Sequence, residues 1–187
     1  MASEFWDLLD MEGRPTGRTV SRMIEGSDPA GLLGPGDWHR VVQVVVFNPE
    51  GRLLIQQRSS TKVEWPDAWD LSAGGSVLAG ETSQQGASRE LLEEVGIDHD
   101  FTGQRPSMVV TFPKGFFDLY IVDVDCDPST LVLQEEEVQA VRWATCQEIL
   151  DMIDEGVFCG YHRPLIELIV ALHRYADYMR VPPPDLV

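Results

Sequence analysis

A chain of 187 residues, 43 % hydrophobic and 24 % charged, is sized for one domain whose core needs neither disulfides nor structural zinc. Its net charge of −17 repels nucleic acid and anionic lipid surfaces, so neither is an expected partner. Cys126, Cys146 and Cys159 show no zinc spacing with histidine and read as reduced thiols of a cytoplasmic protein; the first residues carry no secretory-signal pattern, and the longest apolar run, Val41 to Phe47, is too short to span a bilayer.

In chain order, "EFWDLLD" and "MEGRPTGRTV" predict two short strands around a Gly/Pro turn. Glu25 to Asp37, rich in Gly and Pro, predicts a loop. "WHRVVQVVVF" predicts a buried strand, "NPEG" a turn and "RLLIQQRS" its returning partner. "STKVEWPDAW" is a loop, and "DLSAGGSV" a short strand that dissolves into glycines. Thr82 to Val95 is the clearest helix: Thr82 with Gln85 fits a capping box, and Gly96 fits a left-handed stop. Gly86 inside it costs about 1 kcal/mol against Ala, which points to a close packing contact. "SMVVTFP" and "FFDLYIVDVD" predict a hairpin, "VQAVRWAT" a strand, Gln147 to Glu155 a helix and Pro164 to Met179 a last helix before a frayed "VPPPDLV" tail. This mixture predicts a sheet with helices packed on its faces.

The first helix gathers Glu90, Glu93 and Glu94 within a sector of about 100°, with Leu91, Leu92 and Val95 on the other side. The apolar face is therefore expected to be buried and the carboxylates to face outward. Such a face is either solvated decoration or a seat for a hard divalent cation that removes the repulsion between its carboxylates.

The surroundings decide between these. Gly75, Glu81, Arg89, Glu90, Leu91, Glu93, Glu94, Gly96 and Ile97 fit G-x5-E-x7-R-E-U-x-E-E-x-G-U, with U aliphatic, a match that arises by chance roughly once in ten million chains of this length. This is the Nudix box, and the sequence resembles a Nudix hydrolase without a mismatch in it. The resemblance implies an α/β (α+β) fold, a Nudix-like α/β/α sandwich with a mixed β-sheet, in a single domain. It implies that Glu90, Glu93 and Glu94, joined by the Gly74 carbonyl, ligate Mg²⁺ or Mn²⁺. It also implies that Arg89 pairs with Glu81 and, with Gly75, supports the loop. The substrate is then a small-molecule diphosphate, and a homodimer is expected by analogy.

Hydrolysing a diphosphate also needs a carboxylate to take a proton from water. The family draws it either from the box or from a later loop, where "LQEEEVQAVRW" offers Glu136 and Glu137. Arg58 and Lys62 are the candidates for meeting phosphate. His39 reads as structural, and Trp65 and Trp69 as core rather than as platforms for a base.

Further stretches, "WDLLDMEGRPTGRT", "WHRVVQVVVFNPEGRLLIQQRS" and "WPDAWDLSAGGSVLAGE", resemble the subgroup similar to isopentenyl-diphosphate isomerase. Where those isomerases carry a cysteine and a ligating histidine, this chain has Gly74 and Ser76, so hydrolysis is expected instead. A domain that binds such a ligand without turnover is the second class. The loops at Glu25 to Asp37, Thr61 to Trp69 and Pro113 to Phe116 carry no readable substrate code.

Overall fold

The computed structural model describes residues 4–21 and 33–175, in two compact units. One draws on the chain up to Val44 and on Ala73–Tyr120; the other draws on Val45–Ser72 and on the chain from Ile121. Strands β3 (His39–Phe47) and β8 (Gly115–Asp123) each give their first residues to the former and their last to the latter.

In the first unit, β1 (Phe5–Leu9) and β2 (Pro15–Ser21) form an antiparallel hairpin with Phe5 opposite Ser21. Asp10 Oδ1 accepts from the amides of Glu12 and Arg14, and Gly13 takes φ +76° to close the turn. The opening residues of β3 pair antiparallel with β6 (Ala73–Ser76), Val41 opposite Ser76 and Val44 opposite Ala73. Helix α1 (Ser83–Val95) packs on β6. β7 (Met108–Phe112) returns as β8 through Phe112 and Gly115. Trp6, Leu91, Val95, Phe101, Leu119 and Tyr120 fill this unit's core.

In the second unit, β4 (Leu53–Arg58) is flanked by β5 (Trp69–Leu71) and β9 (Val138–Ala144), both antiparallel to it. The predicted strand "DLSAGGSV" is thus two strands, broken at Ser72. That buried serine donates to the Leu54 carbonyl and accepts from the Val46 amide, standing in for a ladder bond on each side. A parallel bridge joins Trp69 to Phe158 and makes the pairing mixed. Helices α2 (Cys146–Asp154), capped by Thr145, and α3 (Arg163–Arg174) pack on one another. The predicted α3 extends to Met179, and its residues from 176 onward lie outside the described ones, as does the "VPPPDLV" tail. Residues 25–32 of the predicted first loop also lie outside them. The α+β reading of the sequence holds. Among the described residues no helix is long and apolar enough to cross a membrane.

Two placements differ from the sequence reading. Leu92, expected on the buried face of α1, is 51 % exposed, whereas Leu91 is fully buried. The helix shows β6 a narrower stripe than its apolar content suggests. Leu91→Ala should therefore cost about 2–5 kcal/mol in urea unfolding, while Leu92→Ala should stay within about 0.5 kcal/mol. Equal losses for the two variants would show that the face is drawn wrongly. Trp65, expected in the core, is 51 % exposed; it sits in the loop after β4 with φ +52°, its ring edge so near Gly160 that a Cβ there would fall 2.9 Å from it. Trp69 is half-buried beneath the Arg142 guanidinium.

His39 is buried at the start of β3. Its ring stacks on Trp6 at 4.6 Å, and Nδ1 has no hydrogen-bond partner among the described residues. Burial pushes its pKa down from 6.5 to about 4. Between those values the unfolded chain takes up a proton that the folded chain refuses. Stability is therefore full above about pH 6.5 and declines as pH falls toward 4. His39→Phe keeps the stack and should flatten that decline by on the order of 2 kcal/mol between about pH 7 and about pH 4.5. A slope identical to wild type would show that the buried ring accepts the charge.

Candidate functional site

The box loop and α1 lie within the first unit. α1 starts with the full reciprocal cap: the Gln85 amide donates to Thr82 Oγ1, and Gln85 Oε1 accepts from the Thr82 amide. It stops at Gly96, φ +69°. A Cβ at Gly86 would meet Val77 Cγ2 at 3.2 Å, which is the close contact that its place inside a helix implies.

At the centre sits Arg89. Its Nε and Nη2 donate to the two oxygens of Glu81 at 2.8 and 3.1 Å, a bidentate grip. Nη2 also donates to the Ser76 carbonyl at 3.0 Å, while Nη1 donates to Glu90 Oε1 at 2.8 Å and Glu93 Oε2 at 3.1 Å. Five bonds use all five N–H groups of the guanidinium. Burial works against the Glu81 charge, but bonds from Arg89 and the Leu78 amide outweigh it and hold the carboxyl below its usual value. Burial likewise opposes the Arg89 charge, yet Glu81 and Glu90 push its pKa up. For Glu90 burial wins: its pKa is raised despite Arg89, with Glu93 and Glu4 adding to the effect.

Two carboxylates of the helix meet the glycine backbone. Glu90 lies so close to Gly75 that a Cβ there would fall 2.3 Å from Oε1. Glu94 Oε2 accepts from the Gly74 amide at 3.1 Å. Glu94 is therefore buried, 6 % exposed, and not outward as its place on the wheel suggests; Glu93 is the open one of the three.

Carboxylates and a backbone carbonyl suit a hard divalent ion. One guanidinium facing Glu81, Glu90 and Glu93 leaves negative charge in excess, which such an ion would offset. The geometry is more restrained. Among the described residues no three His, Cys, Asp or Glu side chains gather around one point, because Arg89 holds Glu90 and Glu93 and Gly74 holds Glu94. A cleft of about 270 Å³ opens beside the loop, lined by Asp7, Arg40, Glu81 and Ser83 among others, but not by Glu90, Glu93 or Glu94.

The other sequence candidates lie in the second unit. Lys62 pairs with Glu137, and the Ser59 amide donates to the Glu137 carbonyl. Arg58 donates from Nε and Nη2 to the Glu64 carbonyl and lies 3.4 Å from Asp70. Glu136 is exposed. Sequence reasoning missed Glu4, whose charge reaches Glu90, and Asp7, which accepts from the Gly80 amide. It also missed Asp118, although an acid within "FFDLYIV" is a legible anomaly.

Gly75→Ala should push Glu90 off its seat and cost about 1–3 kcal/mol through the strained contact and the weakened Arg89 bond. Thermal unfolding and a crystal structure of the variant check this. An unmoved Glu90 would refute it.

The family described as NUDIX domain matches residues 37–163. An uncharacterized Nudix hydrolase of Listeria monocytogenes is 44 % identical over 158 residues, 84 % of this chain and 89 % of that protein. An isopentenyl-diphosphate Delta-isomerase of Corynebacterium diphtheriae is 33 % identical over 160 residues, 81 % of this chain and 84 % of that one. The crystal structure of DR0079 from Deinococcus radiodurans superposes with a TM-score of 0.69 at 26 % identity, covering 89 % of this chain and 97 % of that one.

Proposed function

This chain belongs to the Nudix hydrolase family, and from that premise we propose that it is a Mg²⁺-dependent enzyme cleaving the diphosphate bond of a nucleoside diphosphate-linked or similar organic diphosphate. The observation that carries the reading is the saturated Arg89 node, which holds Glu81, Glu90 and Glu93 against the Ser76 backbone with an excess of negative charge. The matched region takes in residues of both units, which supports reading the chain as one Nudix domain. The odd cysteine count supports a reducing, cytoplasmic setting.

Glu90, Glu93, Glu94 and the Gly74 carbonyl are the groups that would hold Mg²⁺ or Mn²⁺. Such an ion, when bound, neutralises diphosphate charge and polarises a phosphoryl oxygen. Arg89 spends every donor inside the protein, so its part is to fix carboxylates rather than to grip substrate. Glu81 orients Arg89. The proton of the attacking water goes to a carboxylate of the box, with Glu136 and Glu137 the other candidates.

Gly74 and Ser76 supply neither the thiol nor the imidazole of isomerase chemistry, which favours hydrolysis over the activity named for the Corynebacterium relative. Phosphate release with Mg²⁺ from a panel of nucleotides and prenyl diphosphates tests the proposal. Glu93→Gln and Glu94→Gln should each lower turnover about 100-fold or more, near 3 kcal/mol of barrier. Both should fold: Glu93 is open to solvent, and the side-chain amide oxygen introduced by Glu94→Gln still accepts from the Gly74 amide. Tight binding without turnover across the panel would favour the ligand-binding class instead.

A further inference from the structure

Asp118 is a buried acid that the hydrolytic groups do not include. It lies on β8 at 1 % exposure, within the first unit. Its Oδ2 accepts two bonds at 2.6 Å, from Arg40 Nη1 and from the Ser83 hydroxyl. Ser83 has one proton and gives it to the carboxylate, so its oxygen accepts from the Tyr120 hydroxyl at 2.8 Å. Arg40 is itself held by the Gly13 carbonyl and lies 5.2 Å over the Phe116 ring. The other oxygen of Asp118, Oδ1, has no hydrogen-bond partner among the described residues.

A buried ion pair is weak support for stability, since apolar residues of similar shape often do as well. What this pair does is hold one carboxylate oxygen where it accepts from the first residue of α1, Ser83, while Arg40 anchors that same oxygen. Ser83 stands two residues after Glu81, the carboxylate that Arg89 grips with Nε and Nη2. Arg89 in turn holds Glu90 and Glu93 and has no N–H left with which to follow a displaced partner.

We infer that Asp118 and Ser83 are positioning residues for the box: they fix the first turn of α1, and through Glu81 and Arg89 they set where Glu90 and Glu93 stand. This rests on the hydrolase reading above. Misplacement of such groups by about 1 Å can cost up to 100-fold in rate without touching substrate contacts. The loss should therefore fall on kcat and on metal affinity rather than on KM.

Ser83→Ala removes the link while leaving the Arg40–Asp118 pair and the Thr82–Gln85 cap in place. Two measurements apply: Mn²⁺ binding followed by electron paramagnetic resonance, and kcat and KM with the panel diphosphate that wild type turns over fastest. Ser83→Ala should weaken Mn²⁺ binding about fivefold and lower kcat about tenfold, with KM within about twofold. Ser83→Thr, which keeps the hydroxyl, should restore both to within about twofold of wild type. Wild-type behaviour of Ser83→Ala in both measurements would overturn the inference, and so would a Ser83→Thr variant as impaired as Ser83→Ala. If wild type binds Mn²⁺ but hydrolyses nothing, the hydrolase reading fails, and the Mn²⁺ measurement still decides the positioning role.

Discussion

One guanidinium organises the site. Arg89 reaches Glu81 before the helix, Glu90 and Glu93 within it, and the Ser76 carbonyl in the strand behind it. A lysine there would supply charge but not the planar fork that meets Glu81 with two bonds while holding three other oxygens. Carboxylates three and four residues apart repel. Arg89 makes that arrangement tolerable in a half-buried place, and its saturation leaves the arrangement rigid.

The rest of the first unit serves to present this node. The capping box starts α1 at a defined residue, Gly96 ends it, and Gly86 lets it approach Val77. The Gly74 amide donates to the Glu94 carboxylate, and Gly75 lets Glu90 stand where a side chain would otherwise be. Asp118 on β8 reaches the opposite end of the same helix. The helix is thus held at its start by a side chain and along its length by glycines, and a motif that looks local depends on strands distant in sequence.

That dependence explains how much is legible in the sequence. The cap and the glycine stop are local, so spacing alone indicates them, whereas the Glu81–Arg89 pair is implied by the resemblance to the Nudix box; strand positions follow from β-branched runs such as Val41 to Phe47. Glu94 departs from its expected outward place because the angle of a side chain around a helix does not reveal a partner on another element; the Gly74 amide draws it inward. Leu92 departs the other way, since an apolar residue is buried only where something covers it. Trp65 belongs to a loop whose left-handed backbone no apolar pattern encodes. Lys62 and Glu137, candidates for separate tasks, are each other's partners across 75 positions of chain.

The packing around Gly74 also limits what that position can hold. A Cβ at that position would lie 2.8 Å from the Val42 carbonyl oxygen and 2.7 Å from Gln43 Oε1. The first of these is main chain and cannot swing aside as a side-chain tip can. Any side chain at position 74 would thus demand a shift of the neighbouring strand. Glycine there is a requirement of the main chain on the facing strand, set apart from whatever chemistry the loop performs.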